Sequence, residues 1–126
     1  MVKCSSTLEK YQCEIKSGNY TIVADATKDK GGTGNGFRPH EILEASLAAC
    51  MNMSVRMTAD KLGIPVDKLS VSVELERKAN ETKFIYSIDA GDDIQEEQYN
   101  QLVSLLNKCP VKNTLSKPIT FEYKKD

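Results

Sequence analysis

Two thiols carry the chemistry that this sequence could do. Cys50 lies in the middle of a run that reads as one long helix. Cys109 lies directly before Pro110, with Lys108 and Lys112 close by in sequence. The residue before a proline avoids the α region, so Cys109 breaks one helix, and Pro110 opens a short helical turn running to about Leu115. A thiol at a helix N-terminus beside cations is the kind whose thiolate is stabilised, so local chemistry favours Cys109 as the reactive group. Cys50 is mid-helix, where the helix dipole gives it little. The nearby cations Arg38 and Arg56 are not three or four residues from it. On these grounds alone each thiol can equally be an inert core cysteine. Cys4 and Cys13 read more simply, the first as part of a frayed end and the second as a small buried hydrophobe on a strand. The only histidine is His40 and no Cys-x-x-Cys occurs, so a closed zinc site is not expected.

The composition sets the class. The chain has 126 residues, 40% hydrophobic and 28% charged, with a formal net charge of −1, which is ordinary for one soluble domain spanning 1–126. With no basic patch, nucleic acid is not an expected partner. The start, Met1 to Ser6, lacks the apolar run of a signal peptide, and no stretch approaches the ~20 apolar residues of a membrane span. The expectation is a cytoplasmic protein with no membrane partner and no cofactor.

The elements that must position the thiols follow from periodicity. Residues 7–15 alternate, with Tyr11, Cys13 and Ile15 on one face, and Tyr20 to Ala26 alternates again after a Ser17-Gly18-Asn19 turn: a hairpin. The glycine-rich run 31–36 fails the phosphate-loop patterns and reads as a flexible connection, or as a mobile segment at the mouth of a site. The spacing predicts a helix over 39–62, with Pro39 in its first position, Gly63 as its left-handed cap and Pro65 beyond. Its apolar face is read as Ile42, Leu43, Leu47, Met53 and Met57, with Ala45, Ser46, Ala48 and Ala49 small on the remaining sides, as in a buried helix. A second hairpin is expected from Leu69 to Glu76 and Phe84 to Ile88. A second helix starts at Asp93 with Glu96 as its capping partner and carries Tyr99, Leu102, Leu105, Leu106 and Cys109 on its apolar side. Ile119, Phe121 and Tyr123 alternate as a last strand. The order ββ-α-ββ-α-β is α+β with mostly antiparallel sheet.

The pattern Pro39-x-Glu41-Ile42-Leu43-x-Ala45-Ser46-Leu47-Ala48-Ala49-Cys50, followed ~60 residues later by Cys109-Pro110-Val111-x-x-x-Leu115, resembles the OsmC/Ohr family of osmotically inducible and organic hydroperoxide resistance proteins over essentially the whole chain. The resemblance implies an OsmC-like fold: antiparallel sheets wrapped around long central helices in an intertwined homodimer. It implies a thiol-dependent peroxidase in which Cys50 attacks an organic hydroperoxide and becomes a sulfenic acid. Cys109 then resolves it as a Cys50–Cys109 disulfide, and a dithiol reductant, lipoyl-bound in several members, restores the thiols. Leu43, Leu47, Met51, Met53 and Met57 are candidates to line an apolar substrate pocket. One departure bears on mechanism. The best-studied members carry a glutamate directly after the helix-starting proline, paired with an arginine from the N-terminal hairpin. Here that position is His40, Glu41 is one residue on, and the hairpin 7–26 has no arginine. Arg38 is the nearby substitute. His40 is either a charge partner or proton donor, or an exposed helix-start residue. The rival to a peroxidase is a non-catalytic redox-sensing or small-ligand-binding protein on the same scaffold. A thiol-dependent hydrolase is a further option, without a legible catalytic arrangement to support it.

Overall fold

The computed structural model describes residues 1–125. It resolves into two units, Met1–Leu43 and the remainder from Glu44.

The first unit is built on a three-stranded antiparallel sheet in the order β1 (Lys3–Ser6), β2 (Cys13–Ser17), β3 (Tyr20–Ala24). The β2–β3 hairpin is where the alternation puts it, with Ser17 facing Tyr20 and Gly18 in the left-handed region at φ 58°. The strand expected over 7–15 is shorter than its alternation suggests. Residues 8–11 form a turn, tied by Thr7 N–H donating to Gln12 O at 3.2 Å and Gln12 N–H to Glu9 O at 3.3 Å. That turn lets the chain fold back, and the end read as frayed pairs as β1.

The glycine-rich connection is pinned rather than flexible. Asp25 is 3% exposed. Its carboxylate accepts the Ala26 N–H at 2.7 Å, the Thr33 N–H at 3.1 Å and the Thr33 hydroxyl. Phe37 bridges to Ala24, with Phe37 N–H donating to Val23 O and Asp25 N–H to Phe37 O, both at 2.9 Å. The glycines make these approaches possible: a Cβ on Gly32 would stand 2.0 Å from Ala26 O, and one on Gly36 would stand 2.8 Å from Val23 O.

Helix α1 runs from Pro39 to Leu62, the predicted span. Glu41, at its third position, accepts the Arg38 N–H at 2.8 Å, half of a capping box. Gly63 at φ 71° ends it, and Ile64 N–H donates to Ala59 O at 2.9 Å, which satisfies a carbonyl of the last turn.

The second unit holds the core: Leu47, Met51, Val55 and Ala59 of α1 with Ile64, Val66, Ile88, Ala90, Leu102, Leu105, Leu106 and Cys109. The buried stripe of α1 thus recurs strictly every four residues. Of the apolar face expected from sequence only Leu47 is on it. Met53 and Met57 are 59% and 64% exposed, because two residues along a helix turn a side chain by about 200° away from Met51 and Val55. The hairpin β4 (Ser70–Arg77) and β5 (Thr82–Asp89) pairs in full register, with Val71, Val73, Phe84 and Tyr86 turned to the core. Two α1 side chains fasten β4: Glu44 accepts the Leu75 N–H at 2.7 Å, and the Asn52 amide donates to Leu69 O at 3.3 Å.

Helix α2 spans Glu96–Leu105, and its capping box is Gln95 with Gln98, not Asp93 with Glu96. A 3₁₀ turn, Leu106–Lys108, leads to Cys109 and then to α3, Pro110–Leu115. The last strand does not form. Residues 118–125 pair with no strand among the described residues, and Ile119, Phe121 and Tyr123 are 55%, 95% and 90% exposed. Alternation marks a strand-capable segment, but a strand needs a neighbour to satisfy its backbone.

Candidate active site

The second unit brings Cys50 and Cys109 together. Cys109 is the N-cap of α3, with φ −65° and ψ 123°, the extended conformation that its place before Pro110 requires. α3 leaves its first amides without carbonyl partners of its own. With Pro110 in the first position, those amides belong to Val111 and Lys112. The Val111 N–H donates to both sulfurs and the Lys112 N–H to that of Cys109. On α1, Ser54 lies four residues beyond Cys50, one turn on the same face, and its hydroxyl reaches the Cys50 sulfur.

The two thiols are shifted in opposite directions. Burial pushes the Cys50 thiol up, but the Cys109 S–H, the Val111 N–H and the Ser54 hydroxyl together outweigh it and hold Cys50 below the ordinary thiol range. Cys109 goes the other way. Burial is the largest cause, and its S–H is committed to the Cys50 sulfur, so its thiol sits above the ordinary range in spite of the amides of α3. This reverses the order that local sequence chemistry favours. The Lys112 ammonium is engaged elsewhere: it donates to Asn107 Oδ1 at 2.7 Å and stands 5.8 Å from the Tyr86 ring centroid. Cys50 is half-buried and Cys109 fully buried, so Cys50 is also the sulfur open to a reagent.

The other sequence-derived residues lie at the start of α1. The Arg38 Nε stands 3.2 Å from Glu41 Oε1. The Arg38 backbone N–H first, then its guanidinium, hold the Glu41 carboxyl below the usual carboxylate range. Arg38 and Glu41 therefore form a pair, and Glu41 has a capping role beside any chemical one. His40 occupies the second helical position and is exposed. Arg56, the other cation considered for Cys50, is paired with Asp67 at 3.5 Å. Among candidate lining residues, Leu47 and Met51 are buried in the core, whereas Leu43, Met53 and Met57 are exposed. Sequence reasoning missed Ser54 and the Val111 amide. The i, i+4 spacing from Cys50 could have found the first; the second depends on where α3 docks. No cluster of three or more metal-ligating side chains occurs among the described residues.

A fold with three strands, a long central helix, a hairpin and a Cys-Pro helix start is one that known proteins share. The chain belongs to the OsmC-like protein family, whose profile matches residues 32–124. Its fold is that of solved OsmC/Ohr proteins. A Psychrobacter arcticus protein, described as an osmotic stress induced and detoxification response protein, superposes with a TM-score of 0.74 at 20% identity, over 90% of this chain and 85% of that one. The organic hydroperoxide resistance protein OhrB of Bacillus subtilis gives 0.64 at 20% identity, over 92% and 90%. An OsmC-like protein of Mycoplasma pneumoniae gives 0.65 at 22% identity, over 86% and 89%. No protein of curated function matches the chain by sequence. No helix among the described residues is long and apolar enough to cross a membrane.

Proposed function

We propose that the protein is a thiol-dependent peroxidase for organic hydroperoxides, working as a homodimer in the cytoplasm. The family supports a redox, peroxide-related role, and relatives of this fold are named for organic hydroperoxide resistance. The observation that carries the narrower reading is the unequal thiol pair: a lowered, half-buried Cys50 beside a fully buried Cys109 whose proton points at it.

In the proposed cycle the Cys50 thiolate attacks the terminal oxygen of the hydroperoxide. The O–O bond breaks, the alkoxide takes a proton and leaves as the alcohol, and Cys50 is left as a sulfenic acid. Cys109 attacks that sulfur, water departs, and the Cys50–Cys109 disulfide holds both oxidising equivalents. Two exchanges with a dithiol, free or lipoyl-bound, return both thiols. Arg38, Glu41 and His40 are the remaining site candidates, with Arg38 and Glu41 as the charged pair in place of the family's usual glutamate and arginine.

The test is single-turnover oxidation of the reduced protein with one equivalent of cumene hydroperoxide and then of hydrogen peroxide, followed by mass spectrometry. Rapid oxidation favouring the organic peroxide, ending in the Cys50–Cys109 disulfide and absent in Cys50→Ser, is the expected result. Cys109→Ser should instead stop at a Cys50 sulfenic acid that dimedone traps, and only excess peroxide should carry it on to sulfinic acid. Oxidation no faster than that of a free thiol would overturn the peroxidase reading. The second reading, a redox sensor or ligand-binding protein, is favoured by the absence of arginine from the hairpin 7–26. It predicts that the same disulfide forms but that added dithiol supports no sustained turnover.

A further inference from the structure

The first unit holds a second pair of thiols that the proposed cycle does not use. Cys4 is on β1 and Cys13 on β2, and the register sets Cys4 opposite Ile15 and Ser6 opposite Cys13. Side chains two apart on a strand share a face, so Cys4 and Cys13 are diagonal neighbours on one side of the sheet. Thr7 N–H bonds to Gln12 O across the same ribbon. Hydrogen-bonded and non-hydrogen-bonded pairs alternate along an antiparallel ladder, so Cys4–Ile15 and Ser6–Cys13 are both non-hydrogen-bonded pairs, where facing side chains come closest. The right-handed twist of a ribbon brings side chains on one diagonal together. Here the thiols are on that diagonal: the Cys13 S–H donates to the Cys4 sulfur, and this bond, with burial second, raises the Cys13 thiol. Cys4 is exposed and Cys13 half-buried. β1 is four residues long, exposed throughout, and at the edge of its sheet, so it is the strand that is free to adjust when the bond closes.

We propose that Cys4 and Cys13 form a second redox-active dithiol, which closes to an intrachain disulfide and clamps the edge strand β1 onto β2. The oxidant is a low-molecular-weight disulfide. The exposed Cys4 sulfur, as thiolate, attacks one sulfur of the oxidant, forming a mixed disulfide and releasing one thiolate. Cys13, on losing its proton, attacks the Cys4 sulfur, forming the Cys4–Cys13 bond and releasing the second thiolate. The protein loses two electrons and two protons, and one oxidant disulfide becomes two thiols. In the reduced state β1 is held by its ladder alone and can fray. In the oxidised state it cannot peel away.

The experiment incubates the full chain in glutathione redox buffers, traps free thiols with iodoacetamide and digests with trypsin. Cleavage after Lys3, Lys10 and Lys16 puts Cys4 and Cys13 in different peptides, 4–10 and 11–16. The expected result is a disulfide-linked 4–10/11–16 pair that replaces both alkylated peptides as the buffer becomes oxidising and disappears on return to reducing buffer. Cys4→Ser should abolish it while leaving any link between Cys50 and Cys109 intact, so this proposal and the peroxidase reading fail independently. Hydrogen exchange supplies the second readout: β1 amides of the wild type, not of Cys4→Ser, should gain protection on oxidation. Glutathione adducts on Cys4 with no linked peptide, or a link that leaves β1 exchange unchanged, would overturn the proposal.

Discussion

Reactivity at Cys50 is a matter of three donors against one penalty. Burial opposes the thiolate; the Cys109 thiol, the Val111 amide and the Ser54 hydroxyl favour it and prevail. Of the three donors Ser54 is the simplest to remove, because it is a half-buried side chain and neither a backbone amide nor one of the two thiols. Ser54→Ala removes one donor without touching either sulfur. The pH profile of Cys50 alkylation by iodoacetamide should shift to higher pH, so that alkylation slows at neutral pH and recovers at alkaline pH. An unchanged profile would mean that the hydroxyl contributes nothing to the thiolate. Cys109 should be the slower thiol at every pH below its own raised value, since burial and its bond to Cys50 both keep it protonated.

At the scale of elements, the loop between β3 and α1 is where sequence and structure differ most usefully. Four glycines in six residues suggest freedom, yet two of them exist because backbone passes too close for a Cβ. Gly32→Ala should destabilise the protein by about 1–3 kcal/mol, the ordinary cost of forced overpacking, read as a lower denaturant midpoint at unchanged slope. Asp25 is the post to which that loop is tied. The Thr33 hydroxyl foremost, then the amides of Ala26 and Thr33 and the Gln12 side chain, hold its carboxyl below the usual range against the cost of burial. A carboxyl lowered in the folded state stabilises fully above its unfolded value of about 3.9, and that stabilisation drains away as pH falls through the lower folded value. Asp25→Asn should therefore be less stable than wild type at neutral pH and lose less stability between about pH 4 and pH 2. Urea midpoints across that range check both statements.

For the whole molecule, the second unit leaves several large apolar side chains exposed. Met53 and Met57 stand one turn apart on α1, and Ile119, Phe121 and Tyr123 alternate on a segment that pairs with no strand among the described residues. The proposed homodimer would give these side chains an interface to be buried in. Sedimentation velocity should give a dimer for the wild type. Met53→Glu, which puts a charge on that stripe without entering the core, should shift it towards monomer. A wild type that stays monomeric at high micromolar concentration would sink the dimer proposal.

The extent of α1 was legible in the sequence because Pro39 and Gly63 punctuate it by local backbone chemistry. The β4–β5 hairpin was legible because its alternation matches the period of a strand, and the Cys109 break because it is imposed by Pro110 itself. The same short-range reasoning failed wherever a partner distant in sequence decides. It placed Met53 and Met57 inward, left β1 as a frayed end, loosened a loop that Asp25 ties down, and closed a final strand that finds no partner strand among the described residues. It also ranked Cys109 above Cys50 as the thiolate. Both Cys positions, and the helix N-terminus at Cys109, are facts of sequence. Which thiol is lowered and which raised depends on α3 docking beside α1, so that the Val111 amide and the Cys109 thiol point at Cys50. A thiolate is set by the donors that surround it in space, and only the tertiary structure supplies them.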